Sequence, residues 1–294
     1  MFKTMARATR NGLTATVMLL WFACVAASCS ANQSTAPAQA KTGGAAVAGE
    51  RNAGETPRPQ DEPNAPPTQE PPSYVPPPLS EYMGRTIAVT MSYHGAPWLI
   101  RNEREQEERC SLLLANLDLR RGMTVCDLGC GNGFYTLPIA RLLGEKGRVL
   151  AVDIQPEMLN LLRESTDREG IDNITPILGS VHDPRLPRES IDLVLLVDVY
   201  HEFSHPQQML ARIRDALKPD GKVALVEFRG EDETVPIKAE HKMSKAQILK
   251  EFPANGFTLV KEFDKLPWQH VMFFEKSAEV TESPQDPAPD KAPR

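Results

Sequence analysis

This 294-residue chain predicts an α/β fold, a parallel sheet with helices on both faces. Three observations point there. Short continuous apolar runs alternate with amphipathic segments through the middle of the chain, as strands buried on both faces do. The first run leads directly into a glycine loop and then a helix. Several runs end on or next to an acidic residue, at the edge where open α/β sheets hold their ligands.

The elements follow in chain order. Lys3, Arg7 and Arg10 precede an uncharged apolar run from Leu13 to Ala27, which closes on Ala26-Ala27-Ser28-Cys29. A basic start, a short apolar run and small residues before a cut site describe an export signal over 1–28. The run is short for a span of about 20 residues, which disfavours a transmembrane anchor. Its end resembles a bacterial lipobox. That resemblance implies cleavage before Cys29, a diacylglyceryl group on it, and a membrane-attached, extracytoplasmic lipoprotein. A start at Met83 would instead leave a cytoplasmic form.

Residues 29–80 are Ala/Ser-rich and then Pro-rich, and 278–294 are Pro-rich again. Neither stretch carries enough apolar residues for a core, so they read as a disordered tether and tail. One domain over 81–277 remains. The net charge of −6, with no basic cluster, argues against nucleic acid as a partner. Cys110, Cys126 and Cys130 are odd in number, which is no disulfide framework.

Inside the domain, Asn102–Leu117 predicts a helix. Strands are expected at Thr124–Leu128, Arg148–Asp153, Ile174–Leu178, Ile191–Val197 and Lys222–Phe228. Helices Phe134–Leu143, Pro156–Glu169 and Pro206–Leu217 lie between them. Pro156 and Pro206 suit a first helical turn, and Gly144 and Gly170 suit helix ends. Ser244 can cap a helix to Ala254, and Phe257–Phe263 and Trp268–Glu275 form a closing antiparallel hairpin.

The glycine loop reads Asp127-Leu128-Gly129-Cys130-Gly131-Asn132-Gly133. A dinucleotide fingerprint needs G-x-G-x-x-G, and Phe134 stands where its third glycine belongs. Asp127 would repel phosphate and favour a cation. Asp153 ends the second strand, where a carboxylate can accept from both ribose hydroxyls. Asp183 follows the third strand, within reach of an adenine amino group.

This constellation resembles the class I S-adenosylmethionine-dependent methyltransferases over roughly 121–276. The resemblance implies a Rossmann-like seven-stranded sheet of order 3-2-1-4-5-7-6 whose last strand is antiparallel. It implies S-adenosyl-L-methionine as cofactor. Asp127, Gly129, Gly131 and Gly133 would hold its methionine part, Asp153 the ribose, Asp183 the adenine edge, and Ile154 would stack on the adenine. Leu217–Lys222 resembles the family's turn before strand five. The segment from Tyr82 to Glu108 resembles a bacterial subgroup and is expected to cover the cofactor.

The fourth strand ends at Asp198-Val199-Tyr200-His201-Glu202, beside the methyl group in the resembled fold. Methyl transfer from a sulfonium needs proximity, orientation and sometimes a base. His201 is the expected base, with Glu202 or Asp198 to orient it. Glu227 and the Lys238–Ser244 loop are further groups near the site. His201 to His205 also matches H-E-x-x-H, but Pro206 and the strand-end position oppose the helix that this zinc motif needs, so no metal is expected. The acceptor is expected to be a small molecule. The competing readings are a tethered, non-catalytic binding module and a nicotinamide oxidoreductase, the latter disfavoured by Phe134.

Overall fold

The computed structural model describes residues 74–278. The expected signal, the lipidated Cys29 and all but the ends of the tether and tail lie outside them. Among the described residues no helix is long and apolar enough to cross a membrane.

A small hairpin, β1 (Glu81–Tyr82) and β2 (Arg85–Thr86), opens this part. Three short helices follow: α1 (Ala96–Leu99), α2 (Arg104–Glu108) and α3 (Cys110–Asn116). The main array is β3 (Thr124–Leu128), α4 (Thr136–Leu143), β4 (Arg148–Asp153), α5 (Pro156–Glu169), β5 (Ile174–Leu178), β6 (Ile191–Val197) and α6 (Pro206–Ala216). It continues through β7 (Leu217–Phe228), α7 (Lys245–Ala254), β8 (Phe257–Phe263) and β9 (Gln269–Lys276). The seven-stranded sheet has order β5-β4-β3-β6-β7-β9-β8. In sheet numbering that is 3-2-1-4-5-7-6. β9 alone runs against its neighbours β7 and β8.

Alternation along the strands sorts the core. Val194 and Leu196 of β6 pack with Leu210 and Ile213 of α6, whereas Leu193 and Leu195 pack with Ile139 and Leu143 of α4. Each fully buried Val or Leu contributes about 1.5–3 kcal/mol. This two-sided burial is why the continuous apolar runs were readable as strands.

Three expectations need correction. The helix expected over Asn102–Leu117 is two helices, broken at Arg109, whose φ is 52°. The Glu105 carboxylate accepts from the backbone N–H and hydroxyl of Ser111 and so caps the second helix from outside the chain's local pattern. The turn at Leu217–Lys222 is a bulge inside β7: Leu217 pairs with Ile191, and pairing resumes at Lys222 with Leu193. The tether's last residues are bound to the domain. Pro76 O lies 2.8 Å from His205 Nε2, and Leu79 N–H donates to Ser204 O at 3.0 Å.

Candidate active site

A cavity of about 480 Å³ opens above the carboxyl ends of β3, β4 and β6, a size within the range of about 300–1,000 Å³ usual for small-molecule sites. It has two chemically different ends and a roof.

The first end is the glycine loop. Gly129, Gly131 and Gly133 all have left-handed φ, at 77°, 54° and 91°, which only glycine adopts without strain. Their surroundings separate them. Gly129 and Gly131 line the cavity. A Cβ on Gly131 would come within 2.8 Å of Leu99 in the roof. Gly133 does not line it. A Cβ there would lie 2.4 Å from Leu162 Cδ1, so this glycine lets α5 pack under the loop.

The acids also part company. Asp153 lines the cavity; its carboxylate accepts from the N–H groups of Gly131 and Gln155, each at 2.9 Å. Burial raises its pKa, and those backbone donors oppose the rise. Two accepted bonds leave lone pairs free for a ligand's hydroxyls. Asp127 lies beneath the loop, where it accepts from the Thr136 hydroxyl at 2.6 Å and so ties β3 to α4. Burial pushes its pKa up to about 6, against the pull of Thr136. Asp183 does not face the cavity. Its carboxylate accepts from Arg185 N–H at 2.7 Å and pairs with Arg212 at 3.8 Å. Ser180 and Val181 line the cavity in its place, and Ile154 lines it too.

At the second end, His201 is buried and its Nδ1 lies 2.6 Å from Glu227 Oε2. Glu227 Oε1 also accepts from the His201 backbone N–H. Burial alone would lower the His201 pKa. Attraction and hydrogen bonding to Glu227, with Glu202 behind them, outweigh burial and raise it. His201 Nε2 faces His241 Nδ1 at 3.0 Å and Glu202 Oε1 at 4.0 Å. Burial drives Glu202 up to about 7, against the pull of His201. Burial and then His201 lower the pKa of His241.

The group that orients His201 is therefore Glu227, on β7, rather than Glu202 or Asp198. Asp198 lines the cavity with a φ of 51° and accepts from Gln269 Nε2 at 2.8 Å. Its Oδ1 is buried with no hydrogen-bond partner among the described residues. Burial, followed by repulsion from Glu108 and Glu227, holds its pKa well above the carboxylate range, with Arg104 opposing. An orphaned buried acceptor at a cavity wall suits a ligand donor such as an ammonium.

The roof is the segment before β3. Val89, Met91, Trp98 and Leu99 line the cavity from above. Gln155 latches the roof at two points, accepting from Tyr93 N–H at 2.8 Å and donating to Met91 O at 2.9 Å. Met91 N–H donates to Glu202 at 3.2 Å, Ala88 N–H donates to His201 O at 3.1 Å, and Asn132 donates to Ala96 O at 3.1 Å. Arg85 pairs with buried Glu251 at 2.7 Å. Neither Gln155 nor Arg104, which also lines the cavity, was singled out from the sequence. Gln155 had one signal, its place just before the helix-starting Pro156.

His205, the second histidine of H-E-x-x-H, is turned away from His201, onto Pro76 O and Ser204. His241 occupies the position beside His201 instead.

Comparison with known proteins agrees with this fold. The family model described as a methyltransferase domain matches residues 119–276. The chain is 31% identical over 113 residues to nocamycin O-methyltransferase of Saccharothrix syringae, covering 38% of this chain and 40% of that protein. It is 30% identical over 110 residues to the ubiquinone/menaquinone biosynthesis C-methyltransferase of Vibrio vulnificus, covering 37% of this chain and 42% of that protein. The curated relatives are thus matched over less than half of their own length. A crystal structure of a SAM-dependent methyltransferase from Aquifex aeolicus superposes with a TM-score of 0.60 at 23% identity, over 63% of this chain and 98% of the other.

Proposed function

The chain belongs to the methyltransferase-domain family, and from that premise we propose that its cavity binds S-adenosyl-L-methionine and passes the methyl group to a small-molecule acceptor. The observation that carries this reading is the single cavity with Asp153 and the Gly129–Gly131 loop at one end and His201 at the other. Asp153 would take the ribose hydroxyls, Ile154 the adenine face, and the orphaned Asp198 Oδ1 the ammonium of the methionine part. Bound there, the cofactor supplies an electrophilic methyl group.

The chain's own residues hold the ligand, exclude water and take a proton. The roof closes over the loop. Hydrogen bonding of Nδ1 to Glu227 leaves Nε2 of His201 as the atom that accepts the acceptor's proton as its nucleophile is methylated. His241 and Lys238 flank the space the acceptor would fill. The part of the lining that comes from Val89, Met91, Trp98 and Leu99 suits an acceptor with an apolar body. The O- and C-methyltransferases among the relatives support a small-molecule acceptor of this kind.

Calorimetric titration with S-adenosylhomocysteine and, separately, NAD tests the cofactor. One S-adenosylhomocysteine site and no NAD site is expected; the reverse would overturn the assignment. Label transfer from the methyl group into metabolite extracts then identifies the acceptor. The lipid anchor is a part of the same proposal. Mass spectrometry of the native N-terminus should find an acylated Cys29 in the membrane fraction, and a soluble protein starting near Met83 would contradict it.

A further inference from the structure

We propose that His201, Glu202 and His241 form a three-ligand site for a divalent first-row transition metal ion, of the zinc class, at the acceptor end of the cavity. The inference goes beyond the methyl-transfer reading and runs against the sequence expectation of no metal.

The geometry carries it. One ligand atom from each of the three side chains lies within 4.8 Å of the other two. Zinc binds imidazole nitrogen at about 2.0–2.1 Å, so two tetrahedral ligand nitrogens sit about 3.4 Å apart. His201 Nε2 and His241 Nδ1 are 3.0 Å apart, and Glu202 Oε1 is 4.0 Å from His201 Nε2. Small opposite adjustments, one pair opening and the other closing, bring all three onto a common ion. The positions permit such movement. His241 ends a short turn, Ala239–His241, in the loop after β7, and it is only partly buried.

The surroundings are those of a built site. A metal-bound imidazole commonly gives its other N–H to a carboxylate, which fixes the tautomer and strengthens the ligand. Glu227 does this for His201, at 2.6 Å and with no solvent exposure. Glu202 is held in place by the Met91 N–H. Two carboxylates, Glu202 and Glu227, would offset the ion's charge, while the nearby Arg85 is already engaged by Glu251. Two histidines and one carboxylate are a donor set found in catalytic zinc sites, which keep a position open. All three ligand residues line the cavity, so that position would face the acceptor. An acceptor bearing a hydroxyl or thiol is the chemical class that would ligate there. With the ion bound, His201 Nε2 would be a ligand and not the base: the hydroxyl or thiol would lose its proton to water as it ligates, and the ion would hold the resulting anion, whereas in the metal-free chain His201 Nε2 takes that proton.

The H-E-x-x-H reading pairs His201 with His205, but the fold pairs it with His241, 40 residues on. That substitution of partner gives the test its discrimination. The full chain, without a histidine tag, is stripped with chelator and dialysed against Zn²⁺ or Co²⁺, and the bound metal is counted. One equivalent per chain is expected, with Co²⁺ giving visible bands of nitrogen and oxygen coordination. Glu227→Gln should weaken binding about 10- to 100-fold, and His241→Ala should weaken it at least as much. His205→Ala should leave it unchanged. No stoichiometric metal in the unaltered chain, or equal affinity in His241→Ala, would overturn the site. Loss in His205→Ala but not in His241→Ala would do so too. S-adenosylhomocysteine binding is read on the same samples. A chain that binds the nucleoside but no metal loses only this site, and one that binds metal but no nucleoside loses only the methyl-transfer reading.

Discussion

The end of the cavity proposed for the cofactor comes from two neighbouring loops, at 129–131 and 153–155, with Ser180 from a third, whereas the end proposed for the acceptor gathers Met91, His201, Glu227 and His241 from across the fold. The first end is set by backbone. Its glycines have left-handed φ, and its acid is held by two N–H groups. The second end is set by side chains holding one another. Under the proposed function, the acceptor could be exchanged at the second end without disturbing the glycine loop at the first.

The comparison can be broken in several ways. The largest effect is expected at His201. His201→Ala should lower turnover by about 10²–10⁴ while S-adenosylhomocysteine affinity stays nearly constant. Steady-state rates with the identified acceptor, beside calorimetry, read both. A matching loss of nucleoside affinity would merge the two ends into one.

The next effect is on stability and isolates the cofactor end. Asp127 has a folded pKa of about 6 against an ordinary value of 3.8, raised by burial. A carboxyl raised in this way favours the folded state when protonated. That stabilisation is full below the unfolded value and is lost as pH rises towards 6. Asp127→Asn keeps an acceptor for Thr136 and removes the charge. The variant should be more stable than the parent above pH 6, by an order of about 3 kcal/mol at 1.36 kcal/mol per unit, and the gap should close towards pH 4. Denaturant melts across that range check it. A constant gap would mean that the charge is not the cause.

Asp153→Ala should weaken S-adenosylhomocysteine by more than tenfold, from the loss of about 1.5–3 kcal/mol of charge-assisted bonding. The smallest effect is the sharpest contrast. Asp183→Ala, also at a strand end, should change that affinity by less than about twofold, the ±0.5 kcal/mol of an ordinary surface change. Titrations of the two variants side by side check both, and equal losses would put Asp183 back in the site.

The same contrast explains what was legible in the sequence. Strands β3 to β6 have the expected bounds; β3, β4 and β6 are buried on both faces and leave long apolar runs, while β5, at the sheet edge, is only partly buried. Asp153, Gly129, Gly131 and His201 line one cavity because they sit on or just after those strands. Asp183 lies off the cavity lining because strand-end position says nothing of side-chain direction, which Arg185 and Arg212 decide. Gly133 looked like its two neighbours, yet contact with Leu162 on α5 determines its role. The helix at Asn102–Leu117 failed on one residue, Arg109, because the Glu105 carboxylate restarts the helix behind it. Glu227 and His241 were seen as nearby groups, but only tertiary structure joins them to His201, across 26 and 40 residues.

A crystal structure of the chain soaked with S-adenosylhomocysteine tests the central division most directly. The account predicts ribose hydroxyls on the Asp153 carboxylate, the adenine against Ile154, and the sulfur pointing along the cavity towards His201. A nucleoside bound away from Asp153, or one whose sulfur turns from His201, would contradict it.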